Sequence, residues 1–98
     1  MTEDLTKKFA FELVELLKTG EVSVKEVIEA SQKRHEDVDS NVNALPKTFY
    51  DQAIQKADKI DIKKEKENKK SLMGLPIAVK DYNDVGGIPT TYGSKIFV

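Results

Sequence analysis

The sequence contains no cysteine, a single histidine and no long uninterrupted apolar run. Without cysteine there is no disulfide framework, no thiolate zinc site and no cysteine nucleophile, which fits a reducing compartment. The one histidine, His35, lies in a polar stretch. It is expected on the surface, and a serine–histidine triad is not expected. The opening stretch MTEDLTKKFAFELVELLKTGE is acidic, and Glu12, Glu15 and Lys18 interrupt its apolar residues. That is the pattern of neither a secretory signal nor a membrane span. Charges of the two signs nearly cancel, leaving a formal net charge of -1, so no general attraction to nucleic acid or to an anionic membrane follows. Cytoplasmic localisation is expected, with neither a membrane nor a nucleic acid as partner.

What is present suits a globular chain. Hydrophobic residues make up 39% and charged residues 34% of 98 positions, enough for one domain at most, with a small core. Phe9, Leu13, Leu16 and Leu17 recur at i, i+4, i+7 and i+8, with Phe11 and Val14 widening the stripe, which predicts a helix over about 5–19 closed by Gly20. Ser23-Val24-Lys25-Glu26 has the spacing of a capping box and predicts a second helix over about 23–37, with Val24, Val27, Ile28 and Ser31 on its apolar face and a loop at EDVDSNVN. Thr48-Phe49-Tyr50-Asp51 opens a third over about 49–62, with a narrow stripe of Tyr50, Ala53, Ile54, Ala57 and Ile60. Its alanines allow close approach to another element.

Lys63, Lys64, Lys66, Lys69 and Lys70 then crowd around Glu65 and Glu67. Interleaved acids, and no aromatic side chain among the lysines to stack on bases, make 63–71 a solvated helix end or linker. Composition switches after Ser71. Pro76-Ile77-Ala78-Val79 reads as a short buried strand, over about 76–80, because a strand covered on both faces shows a continuous apolar run. A loop and an extended segment are expected over 81–98. Three helices and one or two strands close no sheet, and the chain ends on the apolar Ile96-Phe97-Val98. The expectation is part of an α/β domain with a mixed sheet flanked by helices, incomplete in this chain.

Lys80 stands where open α/β sheets place ligands, outside the carboxyl end of a strand. Partial desolvation there would favour the neutral amine and make it a general base. The alternative is a strand-end lysine whose stem packs while its head stays in water. Asp81 and Asp84 read as turn residues rather than a metal pair, since no third ligand lies nearby. No metal or cofactor is expected. Ser94 is the one serine placed where chemistry could use it, and Gly86, Gly87 and Gly93 offer tight turns without the spacing of a phosphate loop.

The run GLPIAVKDYNDVGGIPTTYGS, Gly74 to Ser94, resembles the first conserved block of the amidase signature family, and the upstream helices leading to Asn43-Ala44 resemble that family's opening. The resemblance implies that residues 1–98 form the N-terminal part of a single amidase domain acting on a small-molecule amide. Such enzymes hydrolyse or transfer the acyl group of an amide through an acyl-enzyme, using a serine nucleophile, a second serine in a cis peptide bond and a lysine base. The lysine matches Lys80. Asp81, Thr90, Thr91, Gly93 and Ser94 match a supporting segment near the active site. Both family serines belong to a block farther along than Val98, so the chain by itself is expected to be inactive and is read as a partial sequence. KDYNDVGG leans toward a free-standing amidase. The alternatives are the A subunit of the tRNA-dependent amidotransferase and a non-catalytic interaction module; homo-oligomer formation by a full-length form stays open.

Overall fold

Short-range hydrogen bonds set most of the helix starts. In the computed structural model, which describes residues 4–81, 83–94 and 96, Asp4 accepts from the Thr6 N–H at 3.0 Å and opens a single 3-10 turn, Leu5–Lys7. Helix α1, Ala10–Thr19, follows, with the Glu12 carboxylate taking the Phe9 N–H at 3.2 Å. Gly20, at φ 79°, ends it by donating its N–H to the Leu16 and Leu17 carbonyls. Helix α2, Val24–Val42, begins with the reciprocal box expected from the sequence: Ser23 Oγ accepts the Glu26 N–H at 3.1 Å, and Glu26 Oε1 accepts the Ser23 N–H at 3.3 Å. Helix α3 spans Tyr50–Ala57 and helix α4 spans Ile62–Glu67.

Element boundaries differ from the sequence reading where polar side chains intervene. EDVDSNVN was expected as a loop, yet α2 runs on to Val42 and ends where Asn43 turns left-handed at φ 52°. A fading apolar stripe marks the end of burial rather than the end of backbone bonding, and pairs one turn apart still support the helix: Gln32 with Glu36 at 3.3 Å and His35 with Asp39 at 3.1 Å. The stretch expected as one helix over 49–62 is two. Asp61 captures the Lys63 and Lys64 N–H groups at 3.0 and 3.4 Å, starting α4 inside the span expected as a linker. Thr48 does not cap α3, whose first residue follows Phe49 without a side-chain bond.

The core forms between α1, α2 and the segment after α4. Leu5, Leu13, Leu17, Val22, Val24, Val27, Ile28 and Met73 are buried, with Tyr50, Ala53, Ile54, Ala57 and Ile60 of the α3 region packed against them. α3 lies on α2, its alanines letting the two approach. Phe9, expected on the buried stripe, is instead exposed and stacks on Phe11, ring centroids 5.7 Å apart. It precedes the first helical turn, so its side chain projects outside the seam.

The expected α/β architecture is not what forms: the structure is helical, and no strand or sheet occurs among the described residues. Residues 76–80 are irregular, with Ile77 73% and Val79 51% exposed. Pairing is limited to one isolated antiparallel bridge between Val85 and Ile88. A strand is made by its neighbours' hydrogen bonds, and no described segment lies alongside Pro76-Ile77-Ala78-Val79 to supply them. Phe97 and Val98, part of the expected extended segment, lie outside the described residues.

Candidate functional site

The candidate residues fall within one loop. After α4, Ser71 Oγ donates to Glu65 and accepts the Met73 N–H at 3.1 Å. Met73, at φ 57°, drops its side chain fully into the core. That anchors the chain ahead of Leu75–Val79, which leads out to Lys80. Lys80 is exposed, and its carbonyl accepts the Asn83 N–H at 3.1 Å.

Asp81 closes the loop that follows. Its Oδ1 accepts the Thr91 N–H at 2.9 Å, and its Oδ2 accepts both the Thr91 hydroxyl and the Gly93 N–H, the latter at 2.8 Å. The Asp81 carbonyl takes the Tyr92 N–H at 3.0 Å, so three consecutive residues converge on one. Tyr92 and Gly93 are both left-handed, at φ 53° and 71°; in this turn the Thr91 and Gly93 N–H groups meet the Asp81 carboxylate and the Tyr92 N–H between them meets the Asp81 carbonyl. Thr91 is buried, 4% exposed. The Thr91 hydroxyl, then the Thr91 and Gly93 N–H groups, hold the Asp81 carboxyl down at about 2, with the Lys47 charge adding a smaller pull.

The remaining candidates make bonds within the same loop. Thr90 donates its hydroxyl to Asp84 at 2.9 Å, the short link of a turn. Ser94 Oγ accepts the Ile96 N–H at 3.2 Å, and the Ser94 N–H reaches the Thr91 carbonyl at 3.0 Å. Asp81, Thr91 and Gly93 are thus brought together, and Thr90 and Ser94 flank them. No group of three or more histidine, aspartate or glutamate side chains among the described residues could hold a metal ion.

Sequence reasoning missed a second polar cluster. His35 was expected on the surface, but its side chain is 19% exposed; its Nε2 lies 3.1 Å from Asp39 Oδ2 and 3.0 Å from the Leu45 carbonyl. Asp39 also accepts the Ala44 N–H at 2.8 Å, the main reason its carboxyl sits below the ordinary range. Tyr50 tilts against the His35 ring, centroids 5.9 Å apart. Burial first, then the Asp39 charge, raises its phenol. Only the His35–Asp39 spacing of four residues hinted at this, because the Leu45 contact depends on how the chain turns after Asn43.

Comparison with known proteins decides the family. The Amidase family profile matches residues 26–98, which include the whole Lys80–Ser94 loop. The chain belongs to the amidase family. Among curated relatives, the A subunit of glutamyl-tRNA(Gln) amidotransferase from Clostridium botulinum (strain Okra / Type B1) is 42% identical over 94 residues, 95% of this chain and 19% of its own length. The proteins of the same name from Streptomyces coelicolor and Clostridium novyi are 38% and 34% identical over the same coverage. This amidase-family chain therefore spans about a fifth of the length of the curated relatives it matches. No solved structure matches it. No helix among its described residues is long and apolar enough to cross a membrane.

Proposed function

We propose that these residues form the N-terminal part of the A subunit of a glutamyl-tRNA(Gln) amidotransferase, an enzyme that splits an amide through an acyl-enzyme, with Lys80 as general base. The observation carrying this reading is the 34–42% identity over 94 residues to relatives of that name. It outweighs the lean of KDYNDVGG toward a free-standing amidase, which shares the same bond-breaking chemistry.

The chemistry assigns each group a task. A neutral Lys80 amine takes a proton through a bridging serine, so that the nucleophilic serine attacks the amide carbonyl. The same proton then goes to the departing nitrogen, which leaves as ammonia, and the acyl-enzyme is cleared by water. Backbone N–H groups stabilise the oxyanion. Both serines, and the cover needed to desolvate Lys80, are assigned to the remaining length of the enzyme. Residues 1–98 alone are therefore inactive in this reading.

The test is ammonia release from glutamine by the complete enzyme and its Lys80→Ala variant. Removing a general base is expected to cost about 10²–10⁴-fold in rate, with thermal unfolding unchanged. Retained ammonia release in Lys80→Ala rules out the role. Dependence of the activity on a partner chain and on charged tRNA supports the amidotransferase reading; full turnover of simple amides without either supports a free-standing amidase.

A further inference from the structure

We propose that Asp81 is a positioning residue for Lys80, its carboxylate clasping Thr91 and Gly93 so that the lysine leaves the backbone at a fixed point. The inference rests on the reading of Lys80 as the base. One peptide bond separates the two residues, so whatever immobilises Asp81 also limits where the Lys80 side chain begins. Asp81 is held from both its side chain and its main chain by Thr91, Tyr92 and Gly93, and the Lys80 carbonyl is held by the Asn83 N–H. The loop from 81 to 93 is thereby closed on itself directly after the lysine.

The clasp needs an ionised carboxylate. All three of its side-chain partners donate, and a protonated or amidated group cannot accept from all of them. Two features of the residues it holds accord with the clasp. Tyr92 is a non-glycine residue held left-handed, an arrangement that persists only where its surroundings compensate. Thr91 is buried although its hydroxyl is polar, because that hydroxyl donates to Asp81. Asp81 is thus engaged in holding Thr91 and Gly93, which separates its role from acid–base work.

The experiment uses the complete enzyme with Asp81→Asn, Thr91→Val, Thr91→Ser and Lys80→Ala, and follows ammonia release from glutamine against pH. Thr91→Val is nearly isosteric and removes only the hydroxyl donor. In Asp81→Asn, either orientation of the amide turns its NH₂ toward a backbone N–H. Misplacing a catalytic group by about an ångström costs on the order of 10²-fold. Thr91→Val and Asp81→Asn are therefore expected to lower kcat toward that extent with KM unchanged, and to move the acid limb of the kcat/KM profile that reports the base. Thr91→Ser keeps the donor and is expected to restore both. If Lys80→Ala is inactive while the Asp81 and Thr91 variants keep kcat and the acid limb, the positioning role is overturned and the base reading stands. If Lys80→Ala retains activity, the base reading fails and the positioning role fails with it.

Discussion

Gly74 rests its α-carbon directly against Val24: a methyl group there would stand 2.9 Å from Val24 Cγ1 and 2.8 Å from Ile60 Cδ1. The segment leading to the candidate loop is thus seated on the first turn of α2, with the backbone itself as the contact surface. Gly74 is also left-handed, at φ 87°, as is Gly20 at φ 79°, which has no atom within 4 Å of such a methyl. Gly20→Ala is expected to cost only the left-handed penalty, about 1–2 kcal/mol. Gly74→Ala adds overpacking of typically about 1–3 kcal/mol. Urea midpoints of the two variants measure the difference, and equal losses would show that the Val24 contact relaxes freely.

Leu17 is 1% exposed in the core, whereas Leu72, in the segment after α4, is 55% exposed. Leu17→Ala is expected to cost about 2–5 kcal/mol through lost burial and the cavity left behind. Against a total stability on the order of 5–15 kcal/mol, that is a large fraction of the whole. Leu72→Ala should stay within about 0.5 kcal/mol. Denaturant titration of both variants checks the assignment of inside and outside.

The start of α2 rests on Ser23. Ser23→Ala leaves the Glu26 N–H without its Oγ acceptor, while the bond from the Ser23 backbone N–H to Glu26 Oε1 keeps its donor. The expected loss is about 1 kcal/mol. Ser23→Asp should retain most of the stability, since an aspartate also caps and its charge suits a helix start. Equal destabilisation by alanine and aspartate would remove the cap as the cause.

Acid should open the Asp81 clasp. Its carboxyl has an ordinary value of 3.8 and is held down at about 2, so the unfolded chain takes up the proton more readily than the folded one. Stability from the clasp is therefore complete above the ordinary value and is lost as pH falls through about 2. A carbon-13 titration of the Asp81 carboxyl should follow the depressed value, with faster amide exchange at Thr91 and Gly93 on its acid side. Titration in the ordinary range would contradict the three hydrogen bonds.

The parts legible in the sequence were those written within one turn of chain. Ser23 and Glu26 are three residues apart, and their box formed where their spacing put it. The Gly74–Ser94 block carried the family, because a motif of 21 residues is specific whatever surrounds it. The strand was read wrongly for the opposite reason. Pro76-Ile77-Ala78-Val79 has a strand's composition, but pairing depends on a neighbour that composition cannot supply, and here it is exposed. The extent of α2 was misjudged because the apolar stripe reports burial, and the helix outruns its buried part by more than a turn.

By itself, then, the sequence determined the exclusions that follow from absent cysteine, the cap that opens α2, and membership of the amidase family. Tertiary structure alone decided that Met73 fills the core, that His35 reaches the Leu45 carbonyl, and that Asp81 clasps Thr91 and Gly93. The physical reason is range. A cap is made by groups that local geometry already holds together, whereas the clasp joins groups ten and twelve residues apart. They meet only because Tyr92 and Gly93 turn left-handed, a backbone choice that the residues permit and that the buried Thr91 and the Asp81 anion make favourable.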